Sequence, residues 1–246
     1  MGTVVKESRL LIWAFCVFVS PTVVRAETPR VVIVLREGKL AATEVSPRSP
    51  GQAGGLWKLA LRGATAAEIS PPEAWPSNAT LEELENVLLP KSVQENSKNK
   101  SLLLNLKDGA GGAFSGDSIG ELFEVVREPD GEGSTGGEKQ DDRPGILKAL
   151  DRAQVTLVRV RAKSKRRRDV RRRDQILTEI VQAAGKETYV FVINFPHKGA
   201  GSVVAAGPTL KRGTVIGRKR TFRFLQSALA RPFLIQKKGS RHDLFQ

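Results

Sequence analysis

The sequence predicts an α/β fold in which helices cover a mostly parallel β-sheet. Four short segments are almost wholly apolar and rich in β-branched residues, which is typical of strands buried on both faces. Segments with one apolar helical face alternate with them, in the order β-α-β-α-α-β-α-β. Stretches rich in glycine or charge separate these elements and predict long disordered loops, and a basic C-terminal tail follows.

Residues 1–26 predict a secretory signal peptide. A basic start precedes the unbroken apolar run 10–19, and short residues before Glu27 form a cleavage motif. The run is shorter than the roughly 20 residues that a membrane-spanning helix needs. A transmembrane signal anchor is the alternative. We therefore expect the lumen of the secretory pathway, an endomembrane or secretion as the location.

The small numbers of cysteines and histidines limit the kinds of catalytic and metal site that the mature chain can form. Cys16 is the single cysteine and lies in the signal, so no disulfide, thiol nucleophile or cysteine-bound metal is expected. The two histidines, His197 and His242, are too few for a usual zinc site, and we expect neither a metal nor a cofactor. Asn78 and Asn99 each begin a sequon, which predicts N-glycosylation.

Charge is distributed unevenly along the chain. Residues 27–153 carry 15 basic and 20 acidic side chains, a net charge of −5. Residues 154–246 carry 22 basic and 5 acidic side chains, a net charge of +17. This asymmetry suggests that the second half faces an anionic partner or repels itself enough to stay loose.

Residues 27–107 supply the first elements. The segment 30–36 predicts a buried strand, and the Pro- and Gly-rich segment 46–79 predicts a loop with a strand at 56–61. Thr80 and the glutamate three residues later predict a capping box for a helix over 81–89, which Pro90 ends. The segment 101–106 predicts the next strand.

Glycine-rich turns and loops separate the remaining predicted elements. A turn at 109–116 leads to a predicted helix over 118–127, and 129–142 predicts a disordered acidic loop. A helix over 144–153 and a strand over 154–161 come next. The last pair is a helix that begins at Asp169 or Asp174 and ends at Gly185, and a strand over 188–194.

The chain after this pair predicts less regular structure. It contains two short Val/Ile pieces and a candidate helix over 221–230. We therefore divide the chain into the signal peptide, one α/β lumenal domain and a basic C-terminal extension, with the bounds 1–26, 27–200 (flexible loops at 129–142 and 162–173) and 201–246.

Ser118 lies in a G-x-S-x-G pattern, which is the nucleophile elbow of serine hydrolases. An acid from Asp169 or Asp174 and a base from His197 would follow in the order that such hydrolases use. However, about ten residues separate Ser118 from the preceding strand, whereas an elbow follows its strand directly. A helix cap is the alternative role for Ser118. The glycine-rich turn matches neither the P-loop nor the dinucleotide-binding pattern.

A basic run occupies residues 163–173, with eight basic residues in eleven. Behind a signal peptide nucleic acid is not expected as a partner, which leaves proteolytic processing, anionic glycans or lipid head groups, or a solvated loop as interpretations. The basic residues are Lys163, Lys165, Arg166, Arg167, Arg168, Arg171, Arg172 and Arg173.

Four segments together give the chain a resemblance to a known family. These are PRVVIVLREGK after the signal, LEELENVLLPKSVQENSKNKSLLLNLKDGAGG, GELFEVV and DQILTEIVQAAGKETYVFVINFP. In this order they resemble the N-terminal lumenal region of the large accessory subunit of the vacuolar-type proton pump, over residues 30–196. Sequons and a basic processing site are also common features of that family. Its β-rich lumenal domain and C-terminal membrane span have no counterpart in this sequence.

The resemblance implies a lumenal, non-enzymatic accessory protein that assists assembly or regulation of the pump by contacting its membrane-sector subunits. It supplies no active-site residues. The residues leave two alternatives, a secreted serine hydrolase using Ser118, Asp174 and His197, and a secreted polyanion-binding protein.

Overall fold

The computed structural model describes residues 29–37, 54–70, 79–97, 100–107, 122–129, 150–160, 167–195, 199–210 and 219–234. The strands in this part of the chain are β1 Val31–Glu37, β2 Thr65–Ile69, β3 Ser101–Leu106, β4 Phe123–Arg127, β5 Val155–Val160, β6 Tyr189–Phe195, β7 Gly201–Ala206 and β8 Lys219–Arg220. The helices of seven residues or more are α1 Gly55–Leu61, α2 Leu81–Leu88, α3 Lys91–Ser97, α4 Arg167–Ala183 and α5 Phe222–Leu234.

All eight strands form one mixed sheet in the order β4-β3-β5-β1-β6-β7-β2-β8. The four central strands β3, β5, β1 and β6 are mutually parallel, and β8 runs parallel to β2. Strand β4 is antiparallel to β3, and β7 is antiparallel to both β6 and β2. The predicted α/β class with a mostly parallel sheet is therefore confirmed.

Helices bury both faces of this sheet. On one face Val32, Val34, Val190 and Val192 pack with residues of α1 and α4, and we call this the α4 face. On the opposite face Ile33, Phe191 and their neighbours pack against α2, α3 and α5, and we call this the α2 face. The near-continuous apolar strands are explained by this two-sided burial, since both sets of alternating side chains leave water.

Several predicted elements occur where the patterns indicated. Strands β1, β3, β5 and β6 match the four apolar segments within a residue or two. The Thr80 hydroxyl accepts from the Glu83 amide at 3.1 Å, and the Glu83 carboxylate accepts from the Thr80 amide at 2.7 Å, so the predicted capping box is present. Gly185 has φ 68° after the last turn of α4, where an L-residue would be strained.

Two predicted elements are wrong in type. Residues 56–61, expected as a strand, belong to helix α1, because Leu56 and Leu59 three residues apart both pack under α4. Gly55 permits the close approach, since a Cβ there would lie 2.7 Å from the backbone nitrogen of Thr178. The C-terminal half of the helix expected over 118–127 is strand β4, whose β-branched residues pair with β3 around an irregular register.

Two boundaries also differ from the prediction, and helix α3 was not predicted. Helix α4 begins at Arg167, so part of the loop expected at 162–173 is helical, which agrees with the high helix propensity of arginine. Pro90 ends α2, and its carbonyl then accepts from Val93 and Gln94 as α3 begins. The sheet continues past residue 200, where we placed the end of the domain, because the apolar strand β7 fits between β6 and β2. Of the helix predicted over 144–153, only residues 150–153 are described, and residues 150–152 are helical.

Arg62 connects α1 to the far end of α4. Its guanidinium donates to the carbonyl oxygens of Val181 and Thr188, both at 3.1 Å, and to that of Gly185. Burial lowers the pKa of the Arg62 guanidinium, and the nearby Glu187 carboxylate acts in the opposite direction. The side chain thereby satisfies carbonyls at the end of α4 that have no partner within the helix.

A buried ionic cluster joins α2 to the strands beneath it. The Glu85 carboxylate accepts from the Ser101 hydroxyl at 2.7 Å and from the Arg127 guanidinium at 2.7 Å. Glu85 is 6% exposed, and Ser101 is fully buried. The cluster satisfies both carboxylate oxygens away from water, which is the condition for keeping a charge in a core.

Among the described residues, no helix combines the length and the apolar character needed to cross a bilayer.

We expect Glu85→Ala to lower the free energy of unfolding by about 3 kcal/mol, because it leaves the Arg127 guanidinium without its closest partner. Glu82→Ala is the matched control on the same helix. Glu82 lies 3.8 Å from Arg127 and is 46% exposed, so its removal should cost less than about 1 kcal/mol. Urea unfolding of the three proteins measures both values, and equal losses would contradict the assigned role of the cluster.

Candidate functional site

The carboxyl ends of the four parallel strands lie side by side at one edge of the sheet. Strands β3, β5, β1 and β6 are neighbours and run in the same direction, so their ends at Leu106, Val160, Glu37 and Phe195 share this edge. Ligands of open α/β sheets bind outside the carboxyl ends of the strands. This edge is therefore where a ligand site is expected.

A row of polar side chains crosses the sheet at this edge. Arg36 of β1 is in register with Asn194 of β6, which is in register with Ser202 of β7. Ser202 is in register with Glu68 of β2, and Glu68 with Lys219 of β8. Residues in register lie on one face, about 4.8 Å apart from strand to strand. We call these five residues the polar row.

The polar row faces the side of the sheet that α4 covers. Two residues away on the same strands, Val34, Val192 and Val204 belong to the apolar core of the α4 face, and Ala66 packs against that core. Because side chains alternate along a strand, the polar row points to the same side. It therefore marks the line where the core under α4 changes from apolar to polar.

Three members of the row are almost completely buried. Asn194 is 1% exposed, and Arg36 and Ser202 are each 8% exposed. In the part of the chain that the structure describes, neither polar atom of the Asn194 amide has a hydrogen-bond partner, and the Ser202 hydroxyl has none. A buried polar group without a partner costs about 1–3 kcal/mol. Neighbouring positions that bear such a cost make this part of the edge the strongest candidate for a ligand site.

Helix α4 brings a further positive potential to this edge. Its last residue, Ala183, leads within six residues to the start of β6, so α4 ends at the amino edge of the sheet and begins at the carboxyl edge. The 17-residue helix therefore has its amino terminus, the positive end of its dipole, at the edge that carries the polar row. Donor groups and a helix amino terminus favour an anion in this region.

Of the predicted catalytic residues, the structure describes the side chain of Asp174 only. Its Oδ1 accepts from the backbone amide of Gly55 at 3.0 Å, at the first residue of α1. A Cβ at Gly54 would overlap the same carboxylate, so Asp174 is enclosed by the start of α1. This contact gives Asp174 a structural role as a cap for a helix that has no cap of its own.

The other predicted site residues lie mainly outside the described residues. These are Ser118, His197, the sequon residues Asn78 and Asn99, and Lys163, Lys165 and Arg166 of the basic run. The backbone at Asp169, Arg167, Arg168, Arg171, Arg172 and Arg173 belongs to the first turns of α4. The hydroxyl residues of both sequons are described, and each contacts α2, Thr80 as its cap and Ser101 through Glu85.

The two outer strands of the sheet differ in character. Strand β8 has two residues, Lys219 and Arg220, and both are charged. Strand β4 has five residues, and Val125 and Val126 at its centre are 43% and 41% exposed. In the described part of the sheet β4 pairs with β3 alone, so its second edge carries no strand. Short charged edges resist pairing with other chains, and longer apolar edges favour it.

Sequence reasoning did not find the polar row. Arg36 and Asn194 were visible as polar residues at the ends of apolar strands, and the rule for carboxyl ends could have selected them. Ser202 gave no such signal, because β7 was not predicted as part of the sheet. The register across five strands, most of which are not consecutive in the chain, brings these residues together.

Comparisons with known protein families and with curated proteins find no match to this chain. In the described residues no three histidine, cysteine or acidic side chains are grouped as they would be to hold a metal ion.

We expect Asp174→Ala to lower the free energy of unfolding by about 1 kcal/mol, because the Gly55 amide loses its acceptor. Asp174→Asn keeps an acceptor oxygen and should retain most of that stability. Gln175→Ala, at the exposed neighbouring position, is the control and should change little. Chemical denaturation measures all three, and an unchanged stability in Asp174→Ala would contradict the capping role.

Proposed function

We propose that this chain is a lumenal, non-enzymatic accessory protein that assists assembly or regulation of the vacuolar-type proton pump by contacting its membrane-sector subunits. The observation that carries the proposal is the open apolar edge of β4. A domain that acts through protein contacts needs a surface suited to another chain, and an unpaired strand edge offers backbone donors and acceptors together with apolar side chains.

The composition of β4 indicates the chemistry of the segment that would pair with it. Val125 and Val126 follow the exposed Glu124, and the exposed Glu128 comes after Arg127, whose charge is paired with Glu85. A matching segment would be extended, with apolar residues opposite the valines and basic residues near the glutamates. We propose such a segment on a lumenal part of a membrane-sector subunit as the occupant of this edge.

The elements that carry the family resemblance also support this proposal. The strand after the signal, the capped leucine-rich helix, the aliphatic strand and the last helix-strand pair are β1, α2, β3 and α4 with β6. They are parts of one sheet and its covering helices. The segment GELFEVV, by contrast, contributes strand β4 where we expected a helix.

The test is affinity purification of the tagged full chain from detergent-solubilised endomembranes, with partners identified by mass spectrometry. We expect membrane-sector subunits of the pump at stoichiometric levels. The double substitution Val125→Lys and Val126→Lys should abolish their recovery, since lysines on an edge strand prevent pairing.

Leu61→Lys is the matched control, because Leu61 is an apolar side chain with 58% exposure on α1, away from β4. It should leave recovery of the pump subunits unchanged. Thermal unfolding of each variant verifies that the fold is retained. Absence of the pump subunits from the wild-type sample would refute the proposal, and equal recovery with the β4 variant would refute the assignment of the edge.

A second candidate function is that of a secreted protein that binds anionic glycans, and the position of the basic run favours it. Arg167, Arg168, Arg171, Arg172 and Arg173 begin α4, at the carboxyl edge of the sheet. Clustered cations at the amino terminus of a helix attract polyanions.

Replacing the basic residues of the run by glutamine should lower the salt concentration that elutes the protein from heparin, from above about 0.5 M to well below it, since each lost ionic contact reduces the salt dependence. Substituting an equal number of basic residues elsewhere in residues 174–246 is the control for net charge. Equal elution of the two variants would exclude a specific role for the run.

A further inference from the structure

We propose that Arg36, Asn194 and Ser202 form a binding site for a small oxyanion, a carboxylate or phosphate group, at the carboxyl edge of the sheet on the α4 face. This site is independent of the β4 edge and of the proposed accessory function. It rests on the register of three strands, on burial, and on the unsatisfied polar atoms of Asn194 and Ser202.

The Asn194 side chain is the most deeply buried of the three. It lies at the centre of the three residues, with Arg36 on one neighbouring strand and Ser202 on the other. It is 1% exposed, and the described part of the chain offers no partner to either of its polar atoms. Buried polar groups are normally hydrogen-bonded, so a group aimed into the α4 face without a partner indicates a ligand.

Hydrogen-bond donors are the chemistry that the three residues share. The Arg36 guanidinium, the Asn194 amide nitrogen and the Ser202 hydroxyl can all donate hydrogen bonds. Neighbouring strands are about 4.8 Å apart, so Arg36 and Ser202 are separated by about 10 Å at the backbone, a gap that the long arginine side chain can shorten. An oxyanion presents acceptor oxygens to such donors, and a planar guanidinium recognises carboxylate and phosphate groups in particular.

The charges around the three residues favour an anion at one end of the polar row. The amino terminus of α4 lies at the same edge and on the same face, which favours an anion. The charged groups that continue the row are Glu68 and Lys219, which are in register with each other. Glu68 lies beyond Ser202 and opposes an anion, whereas Lys219 beside it has the compensating charge. We therefore expect the anion to bind at the Arg36 end of the polar row.

Titration calorimetry of the full chain with inorganic phosphate and with acetate, each against chloride at equal ionic strength, tests the site. We expect saturable binding of at least one of them. Binding of phosphate alone identifies a phosphate site, and binding of acetate identifies a site that accepts carboxylates. Asn194→Leu and Arg36→Met should each weaken the binding by at least about tenfold.

Two matched controls separate this site from general effects. Asn105→Leu makes the same change at the same edge but on the α2 face, because Asn105 follows Leu103 of that core by two residues. Arg30→Met removes the same charge beside the opposite end of β1, where Arg30 is paired with Asp151. Both variants should bind the anion as the wild type does.

Thermal unfolding without added anion gives a second readout. Asn194→Leu should raise the melting temperature, since an apolar side chain of similar size removes an unsatisfied buried amide. If Arg36→Met fails to fold, the melting temperature of Asn194→Leu still tests the proposal. Absence of saturable binding by the wild type, unchanged binding by Asn194→Leu, or a lower melting temperature for Asn194→Leu than for the wild type would overturn the proposal.

Discussion

Burial of the central parallel strands on both faces is the constraint on which the rest of this structure depends. Strand β1 lies between β5 and β6, and residues 31–36 along it are buried. With Cys16 the single cysteine, no disulfide within the chain is available, so apolar burial has to provide the stability. Each fully buried side chain such as Ile33 or Phe191 contributes about 1.5–3 kcal/mol. Helices are then required on both faces, because bare apolar strands would expose their side chains to water.

The same constraint determines where polar side chains occur. Along β1 and β6 the middle positions are apolar, and the polar residues Arg36 and Asn194 come at the carboxyl ends. Strand β7 runs in the opposite direction, so its polar residue Ser202 has to be near its start to meet them. The polar row is thus a product of strand direction as well as of composition. The row and the amino terminus of α4 lie at the same edge of the sheet, so hydrogen-bond donors and the positive end of the helix dipole occur together there.

The ends of the sheet divide the charge of the molecule between two surfaces. The outer strand β4 carries exposed valines between Glu124 and Glu128, whereas β8 consists of Lys219 and Arg220. This division follows the acidic and basic halves of the chain, since β4 comes from the first half and β8 from the second. The β4 edge suits a basic, apolar protein segment, and the carboxyl edge with its arginine-rich helix start suits anions. Two different binding partners are therefore compatible with a single sheet.

Local patterns were sufficient for most of the regular structure. The four central strands, the Thr80 capping box and the apolar face of α4 depend on short-range signals, namely continuous β-branched runs, a hydroxyl-to-glutamate spacing and a helical period. Predictions failed where pairing decides the outcome. Residues 123–127 form a strand because β3 is beside them, and residues 55–61 form a helix because Gly55 lets them pack against α4.

The sequence by itself determined the α/β class, the buried strands and the charge asymmetry, because burial on two faces requires continuous apolar segments and charge is a sum over residues. Only the tertiary structure decided that Arg36, Asn194 and Ser202 meet, since register joins strands that are far apart in the chain. It likewise decided that Asp174 caps α1, a contact across 119 residues. Such contacts depend on strand order and helix packing, which no local spacing encodes.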